Sequence, residues 1–232
     1  MRLLPLEAEA IELLRDLIRA FFFDYLHLFE RDVAALLDLD RAVFPEEGLD
    51  DACVAARVPV LGESEEATVL VRIEADRPVP SQAARSLART LRALRRPYGE
   101  PVVASLVVLR NGRPGVRWEA GALPKLRNLE LGQIFFTTLG LSTARAEHYL
   151  DRPEPLAWVL ALLMRPVRHS LEEHETICRG RIAAAALDPQ RRALLCRGVE
   201  TFLRFTRQAA TAPAPRCAQA RRSRPQSSSA GR

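Results

Sequence analysis

The chain has 232 residues, 48% of them hydrophobic and 27% charged, which is enough apolar material for one substantial core. Its formal charge of +5 comes from the C-terminus, because residues 207–232 carry six arginines and no acid, leaving 28 basic against 29 acidic residues elsewhere. The body of the protein is therefore not basic overall.

The composition also bears on location. The longest apolar run, residues 155–164, is about half as long as a membrane span, and the N-terminus lacks the basic and apolar segments of a secretion signal. The four cysteines are far apart and include no C-x-x-C pair, so neither a disulfide framework nor a zinc ribbon is indicated. These features predict a cytoplasmic protein with reduced thiols and no membrane partner.

The chain begins with a helical pattern. Between residues 6 and 30 apolar side chains recur at steps of three and four, the spacing of one buried helical face. The face consists of Ile11, Leu14, Ile18, Phe22, Tyr25 and Phe29. We expect one long amphipathic helix here.

Two strand pairs with a helix between them follow. The first pair alternates apolar and polar side chains on either side of the polar turn GESEE. The second pair flanks Asn111-Gly112, a dipeptide favoured in tight hairpin turns because both residues tolerate positive φ. The predicted elements are strands 52–60, 67–76, 101–109 and 115–120, and a helix over 81–97.

The last third predicts three helices. Residues 153–164 are apolar, Ser170 and Glu173 form an S-x-x-E capping box, and Asp188 with Pro189 caps the final helix. The buried face of that helix is predicted to contain Leu195, Val199, Phe202 and Phe205. The segment after residue 206 is rich in Pro, Ser, Ala and Arg and predicts a disordered tail.

Acidic side chains end the polar face of the first hairpin. Pairing the two apolar faces across a six-residue loop places Asp51 near Asp76 and Cys53 near Glu74. Like charges this close require a cation or a proton between them, and oxygen ligands on adjacent strands suit Mg²⁺. Asp51, Glu74 and Asp76 are therefore candidate catalytic residues, and the alternative is a solvated polar edge.

A hairpin with an acid on its first strand and E-x-polar at the end of its second resembles the PD-(D/E)XK nuclease superfamily. The succession of blocks more narrowly resembles the Rpn-type recombination-promoting nucleases, a family also described as transposases. Those blocks are LIRAFFFDYLHLFERDVAALLDLDRAVF, VLVRIEAD, RRPYGEPVVASLVVLRNGRPG and LDPQRRALLCRGVETFL, and they span about residues 10–206.

The resemblance implies an α/β fold, namely a restriction-endonuclease-like mixed central sheet flanked by helices. It divides the chain into a nuclease-like domain over residues 1–150, a C-terminal helical extension over 151–206 packed on that domain, and a disordered basic tail over 207–232. The DNA partner, the cofactor and the site residues follow from the same resemblance.

The implied activity is Mg²⁺-dependent hydrolysis of DNA phosphodiesters, in which acids hold the metal. Glu74 matches the glutamate of the second strand. Ala75 matches the residue whose backbone carbonyl faces the metal, which makes Asp51, Glu74 and Ala75 the implied metal ligands. Asp76 stands where the family has lysine, glutamine or glutamate.

The first strand departs from the family pattern. Cys53 stands where the metal-binding aspartate is expected, with Asp50 and Asp51 just upstream, and a thiol is a poor Mg²⁺ ligand. Two functions therefore remain open: a Mg²⁺-dependent DNA endonuclease, and a catalytically inactive relative that acts as a DNA-binding or protein-interaction module. A homodimer is compatible with either.

The helix after the first hairpin carries a basic stripe. Arg85, Arg89, Arg92 and Arg96 recur at steps of four, three and four, so they line one side of the helix. This stripe predicts contacts with DNA phosphates, and the alternative is an ordinary solvated face.

Overall fold

The computed structural model describes residues 5–45, 49–94, 101–122, 125–126, 129–130 and 133–211. The helices are α1 (Pro5–Ala20), α2 (Phe22–Phe29), α3 (Arg31–Ala34), α4 (Pro80–Ala93), α5 (Glu147–Leu150), α6 (Pro155–Leu160), α7 (Leu171–Ala184) and α8 (Pro189–Thr211). The strands are β1 (Cys53–Pro59), β2 (Glu66–Asp76), β3 (Val102–Arg110), β4 (Val116–Ala122), β5 (Lys125–Leu126), β6 (Leu129–Glu130) and β7 (Gln133–Gly140). Short 3₁₀ turns span Leu39–Arg41, Leu141–Thr143 and Ala161–Leu163.

Five strands form one mixed sheet in the order β1-β2-β3-β7-β4. The outer pairs, β1 with β2 and β4 with β7, are antiparallel, whereas β3 runs parallel to both β2 and β7. Strands β5 and β6 make a separate two-stranded sheet. The prediction of an α/β fold with a mixed sheet flanked by helices is confirmed at this level.

Alternation along β2 creates two cores, one on each side of the sheet. Val69, Val71 and Ile73 are fully buried in the larger core, which also contains the apolar faces of α1 and α8. Leu70 points the other way, into a smaller core beneath α4 that includes Leu87. The helices therefore cover the sheet on both faces.

The predicted N-terminal helix is buried where expected but is not continuous. All six residues of the predicted face are buried. The helix breaks at Phe21, whose backbone φ of −120° and ψ of 43° lie outside the helical region, and α2 begins at the next residue. The bend allows the adjacent Phe21 and Phe22 both to be buried.

The predicted second hairpin is not formed. Strand β7, which the sequence did not reveal, lies between β3 and β4 and pairs with both. Asn111 has the positive φ of 54° expected of a turn residue, but Gly112 does not share it. Gly112 instead packs against the backbone of Gly140, where an added Cβ would approach the Gly140 Cα to 2.4 Å. The turn thus leads away from β3 and leaves room for β7.

The C-terminal helices follow the prediction closely. The Ser170 side chain and Glu173 form the expected capping box, and the backbone N–H of Arg191 donates to the Asp188 side chain at 2.9 Å. The predicted face of α8 is buried in the same core as α1 and one face of the sheet. Helix α8 continues to Thr211, past the predicted end, and the remainder of the tail lies outside the described residues.

None of the helices in the described ranges combines the length and the apolar character that a bilayer crossing requires.

Gly121 on β4 allows α4 to pack closely against the sheet. A Cβ added there would lie 2.3 Å from the Pro80 carbonyl oxygen and 2.4 Å from the Ala84 Cβ. We expect Gly121→Ala to lower the free energy of unfolding by about 1–3 kcal/mol, because the helix backbone has to move. Urea denaturation measures the change.

Gly180→Ala is the matched control. Gly180 is exposed on α7 and a Cβ there meets nothing within 4 Å. The same substitution should therefore stabilise the protein by up to about 1 kcal/mol through helix propensity. Stabilisation by both substitutions would contradict the close approach of α4 to β4.

Candidate functional site

An arginine, and not a group of free acids, occupies the polar face of the first hairpin. The Arg72 side chain donates from Nε to Glu74 Oε1 at 2.6 Å and from Nη1 to Asp50 Oδ2 at 2.6 Å. The Cys53 sulfur lies 3.4 Å from the same Nη1. We call Asp50, Cys53, Arg72 and Glu74 the Arg72 cluster. Its guanidinium joins two carboxylates that come from separate segments of the chain.

The local fold explains why these groups meet. Arg72 and Glu74 share the face of β2 that continues beyond Leu70, and 14% of the Arg72 side chain is exposed against 30% for Glu74. Asp50 lies just before β1, and its Oδ1 accepts the Ala52 N–H at 3.0 Å, which closes the turn into the strand. That turn points the other oxygen at Arg72.

Contacts within the Arg72 cluster shift the pKa values of three of its members. Burial opposes charge on Arg72, yet its hydrogen bonds to Asp50 and Glu74 raise the pKa of the guanidinium above its ordinary value. Burial likewise opposes charge on Asp50, but the contact with Arg72 outweighs it and lowers the pKa of that carboxyl. Burial and the nearby Asp50 charge raise the pKa of the Cys53 thiol to about 12. The cysteine is therefore a neutral thiol at physiological pH.

Asp51 is not part of this cluster. Its side chain is fully exposed, and its carboxylate lies 3.8 Å from Arg15 of α1. Strand β1 begins only at Cys53, so Asp51 belongs to the turn that precedes the strand. The sequence predicted that Asp51 would share the polar face with Glu74 and Asp76, and the structure does not place it there.

Asp76 belongs to a second cluster at the end of β2. It accepts hydrogen bonds from Arg110 Nη2 at 2.9 Å and from Asn111 Nδ2 at 2.8 Å. The same Arg110 nitrogen lies 2.5 Å from Glu7 of α1, and the guanidinium stacks over the Phe205 ring. Asp76 therefore ties the strand end to the N-terminal helix.

The hairpin register explains the separation of the predicted acids. Cys53 pairs with Arg72, and Pro59 pairs with Glu66, so each partner is displaced by two residues from the predicted alignment. A displacement of two preserves which face each side chain occupies but changes its neighbours. Cys53 consequently meets Arg72 where Glu74 was expected.

The donors present do not fit Mg²⁺ as they are arranged. Magnesium requires several hard oxygen ligands around a site without a competing cation. Here Arg72 already binds both Asp50 and Glu74, and Cys53 supplies a neutral thiol. The side chain of Ala75, whose backbone carbonyl is the implied ligand, is buried in the larger core. Within the described ranges no three His, Cys, Asp or Glu side chains are grouped so as to hold a metal ion.

The arginine stripe of α4 is exposed. Arg85, Arg89 and Arg92 all lie on the outward side of the helix, opposite the face that buries Ala83 and Leu87. None of the three forms an ion pair with another described residue. Arg96 lies outside the described residues. The stripe points away from the sheet and therefore away from the Arg72 cluster.

The chain matches no family model, no curated protein and no solved structure.

Arg72 and Asp50 are the residues that the sequence interpretation missed. The alternation of VRIEAD places the side chains of Arg72 and Glu74 next to each other on the same face of β2. A partly buried arginine requires an acidic partner, so this pairing could have been inferred. The position of Asp50 depends on the turn before β1, which no periodic pattern reveals.

The Arg72 cluster predicts a pH-dependent contribution from Asp50. We expect Asp50→Asn to destabilise the protein at neutral pH by up to about 1 kcal/mol, since the pair is half exposed and screened by solvent. The folded-state pKa is lowered, so the contribution is complete above the ordinary value of 3.8 and disappears as pH falls through the lowered pKa. The stability gap between wild type and variant should therefore close at acidic pH, as followed by chemical denaturation.

Asp51→Asn is the neighbouring control. Its carboxylate is fully exposed and lies outside the cluster, so this variant should match the wild type across the pH range. An equal loss for both variants would show that Asp50 has no special contact with Arg72.

Proposed function

We propose that the chain is a relative of the Rpn-type nucleases that binds DNA without Mg²⁺-dependent cleavage. The observation that carries this proposal is the position of Arg72 between Asp50 and Glu74, at 2.6 Å from each carboxylate. A fixed guanidinium there supplies one positive charge between the two carboxylates, where Mg²⁺ would supply two. Unlike a metal ion, it has no open coordination position for a water or a phosphate.

The identity of residue 53 supports the same proposal. The first strand offers a buried thiol where the family resemblance implies an aspartate, and its raised pKa keeps it protonated. Asp51, the nearest substitute, points into solvent near Arg15. The hairpin thus retains one acid of the implied set, Glu74, in its place.

DNA binding is assigned to α4. Arg85 and Arg92 are seven residues apart, which is about 10 Å along a helix and close to the rise of three phosphates along one DNA strand. The three described arginines of the stripe have no acidic partner among the described residues, so phosphates need not displace an existing ion pair. Because the body of the protein is nearly neutral, we expect weak and strongly salt-dependent binding.

One observation favours the endonuclease alternative. A cleft of about 250 Å³ opens at the start of β1 and is lined by Arg15, Asp50, Asp51 and Cys53 among others. The cleft therefore reaches the Asp50 and Cys53 side of the Arg72 cluster. The nicking experiment below separates the two candidates.

The stripe is tested by the triple variant Arg85→Ala/Arg89→Ala/Arg92→Ala. We expect it to weaken binding to a duplex oligonucleotide and to reduce the slope of log affinity against log salt by about one for each lost phosphate contact. Fluorescence anisotropy over a salt series measures both quantities.

The control removes the same charge elsewhere. Three exposed arginines lie just before α5 and in the segment that precedes α7. They are Arg145, Arg165 and Arg168. Their triple alanine variant should retain the wild-type salt slope. Equal losses in both triples would show that binding depends on net charge alone, and no binding by the wild type at low salt would favour a protein-interaction module.

Cleavage is tested by plasmid nicking with Mg²⁺ or Mn²⁺. We expect no metal-dependent nicking by the wild type and little by Cys53→Asp, because a carboxylate at position 53 would lie beside Arg72 and pair with it. Cys53→Asp/Arg72→Gln, which removes that competing cation, should gain nicking by about an order of magnitude or more over background. Adding Glu74→Ala should abolish the gain.

Cys53→Ser is the size-matched control, since it adds no charge. Metal-dependent nicking by the wild type that Glu74→Ala removes would contradict the proposal and identify the chain as an active endonuclease.

A further inference from the structure

The two edge strands of the central sheet differ in their backbone pairing. The β1 edge is covered, because Val43 and Arg57 exchange two backbone hydrogen bonds of 2.8 Å and the Asp38 N–H donates to Pro59. At the opposite edge, β4 pairs only with β7 among the described residues. A free edge strand is a template for another strand.

The exposed face beside this edge is aromatic. The Trp118 residue is 74% exposed and Phe135, its diagonal neighbour on β7, is 63% exposed. Val116, two residues before Trp118 on the same face, is 43% exposed. Thr137 on β7 is the direct partner of Trp118, and its side chain contacts the buried Glu30 at the end of α2. The helical layer on this face ends there and leaves the three residues exposed. We call Val116, Trp118 and Phe135 the β4 patch.

We propose that the β4 edge binds a second copy of this chain, through antiparallel pairing of the two β4 strands about a two-fold axis at Trp118. In this register Arg117 of each copy faces Glu119 of the other, on the α4 side of the sheet. Val116 faces Ala120 on the opposite side, next to the paired Trp118 side chains. Both faces are then complementary, as an isologous interface requires.

The neighbouring registers are excluded by the same side chains. Displacing the pairing by two residues in one direction opposes Arg117 with Arg117, and in the other direction it opposes Glu119 with Glu119. Displacing it by one residue places the apolar residues opposite the charged ones. The strand is therefore self-complementary in one alignment, and this charge pattern is what identifies a second copy as the occupant.

The existing contacts permit this pairing. Arg117 is exposed, and its side chain donates to the Pro114 carbonyl and to no acid among the described residues. Glu119 already accepts from Arg77 at 2.7 Å and 10% of its side chain is exposed, so Arg117 of the second copy would approach the remaining lone pairs from the open β4 edge.

The first test is the oligomeric state of the full-length protein by sedimentation. We expect a concentration-dependent dimer, whose dissociation constant rises at least about tenfold in Arg117→Glu, since two attractive cross-strand pairs become repulsive. Phe23→Ser, which changes an exposed aromatic on α2, should leave the dimer unaffected. A wild type that remains monomeric at its highest soluble concentration, or a dimer that Arg117→Glu does not weaken, would overturn the proposal.

The register is tested by disulfide trapping with Trp118 retained. Val116→Cys chains mixed with Ala120→Cys chains should form a cross-link under mild oxidation, because the two positions are direct partners. Val116→Cys alone should not, since its symmetry mate lies four residues along the strand, about 13 Å away. Wild type corrects for the native cysteines, and self-linking by Val116→Cys alone would overturn the assigned register.

Tryptophan emission distinguishes a second copy of the chain from single-stranded DNA as the occupant of the β4 patch. In Trp158→Phe the remaining tryptophan is Trp118, whose emission should shift to the blue as the protein concentration rises. A monomer in which single-stranded DNA quenches Trp118 would show instead that the β4 patch stacks bases, and would refute the dimer.

Discussion

The alternation of β2 is the constraint on which the remaining structure depends. Its apolar residues enter the core shared by α1 and α8, and Leu70 enters the core beneath α4. Both helical layers therefore pack in part on this strand, and α4 packs in addition against β4 at Gly121. Beyond Leu70 the second face continues as Arg72, Glu74 and Asp76, whose side chains are partly exposed.

The Arg72 cluster gives the acids of the first hairpin a different role from the one that the sequence suggests. Carboxylates that converge on a hairpin require a cation, and the sequence suggests that a metal provides it. In the structure a mostly buried arginine is itself the group that requires partners, and Asp50 and Glu74 satisfy it. Removing Asp50 leaves Arg72 paired with Glu74 alone, at a cost of up to about 1 kcal/mol because the Asp50 side chain is half exposed. The acids are therefore explained by the charge of Arg72 without a catalytic role.

The sequence predicted the features that depend on local periodicity. It did not predict the features that depend on contacts with a distant segment of the chain. The two faces of the first hairpin, the buried side of α8 and the Ser170 cap were all predictable, because each depends on side-chain spacing along one element. The register was displaced by two residues, since parity fixes the face but only the loop geometry fixes the partner. The sequence did not show that β7 lies between β3 and β4, because two strands that follow each other in the chain need not be neighbours in the sheet.

The two proposed surfaces are linked by the position of α4. This helix packs against β4 at Gly121, and antiparallel pairing of two β4 strands keeps each face of the sheet on its own side. A second copy would therefore extend the five-stranded sheet to ten strands and place both arginine stripes on the same side of it. DNA held by one stripe would then meet the other at a raised effective concentration. Since each stripe contributes its own phosphate contacts, dimerisation through β4 would increase both the affinity for long duplexes and its dependence on salt.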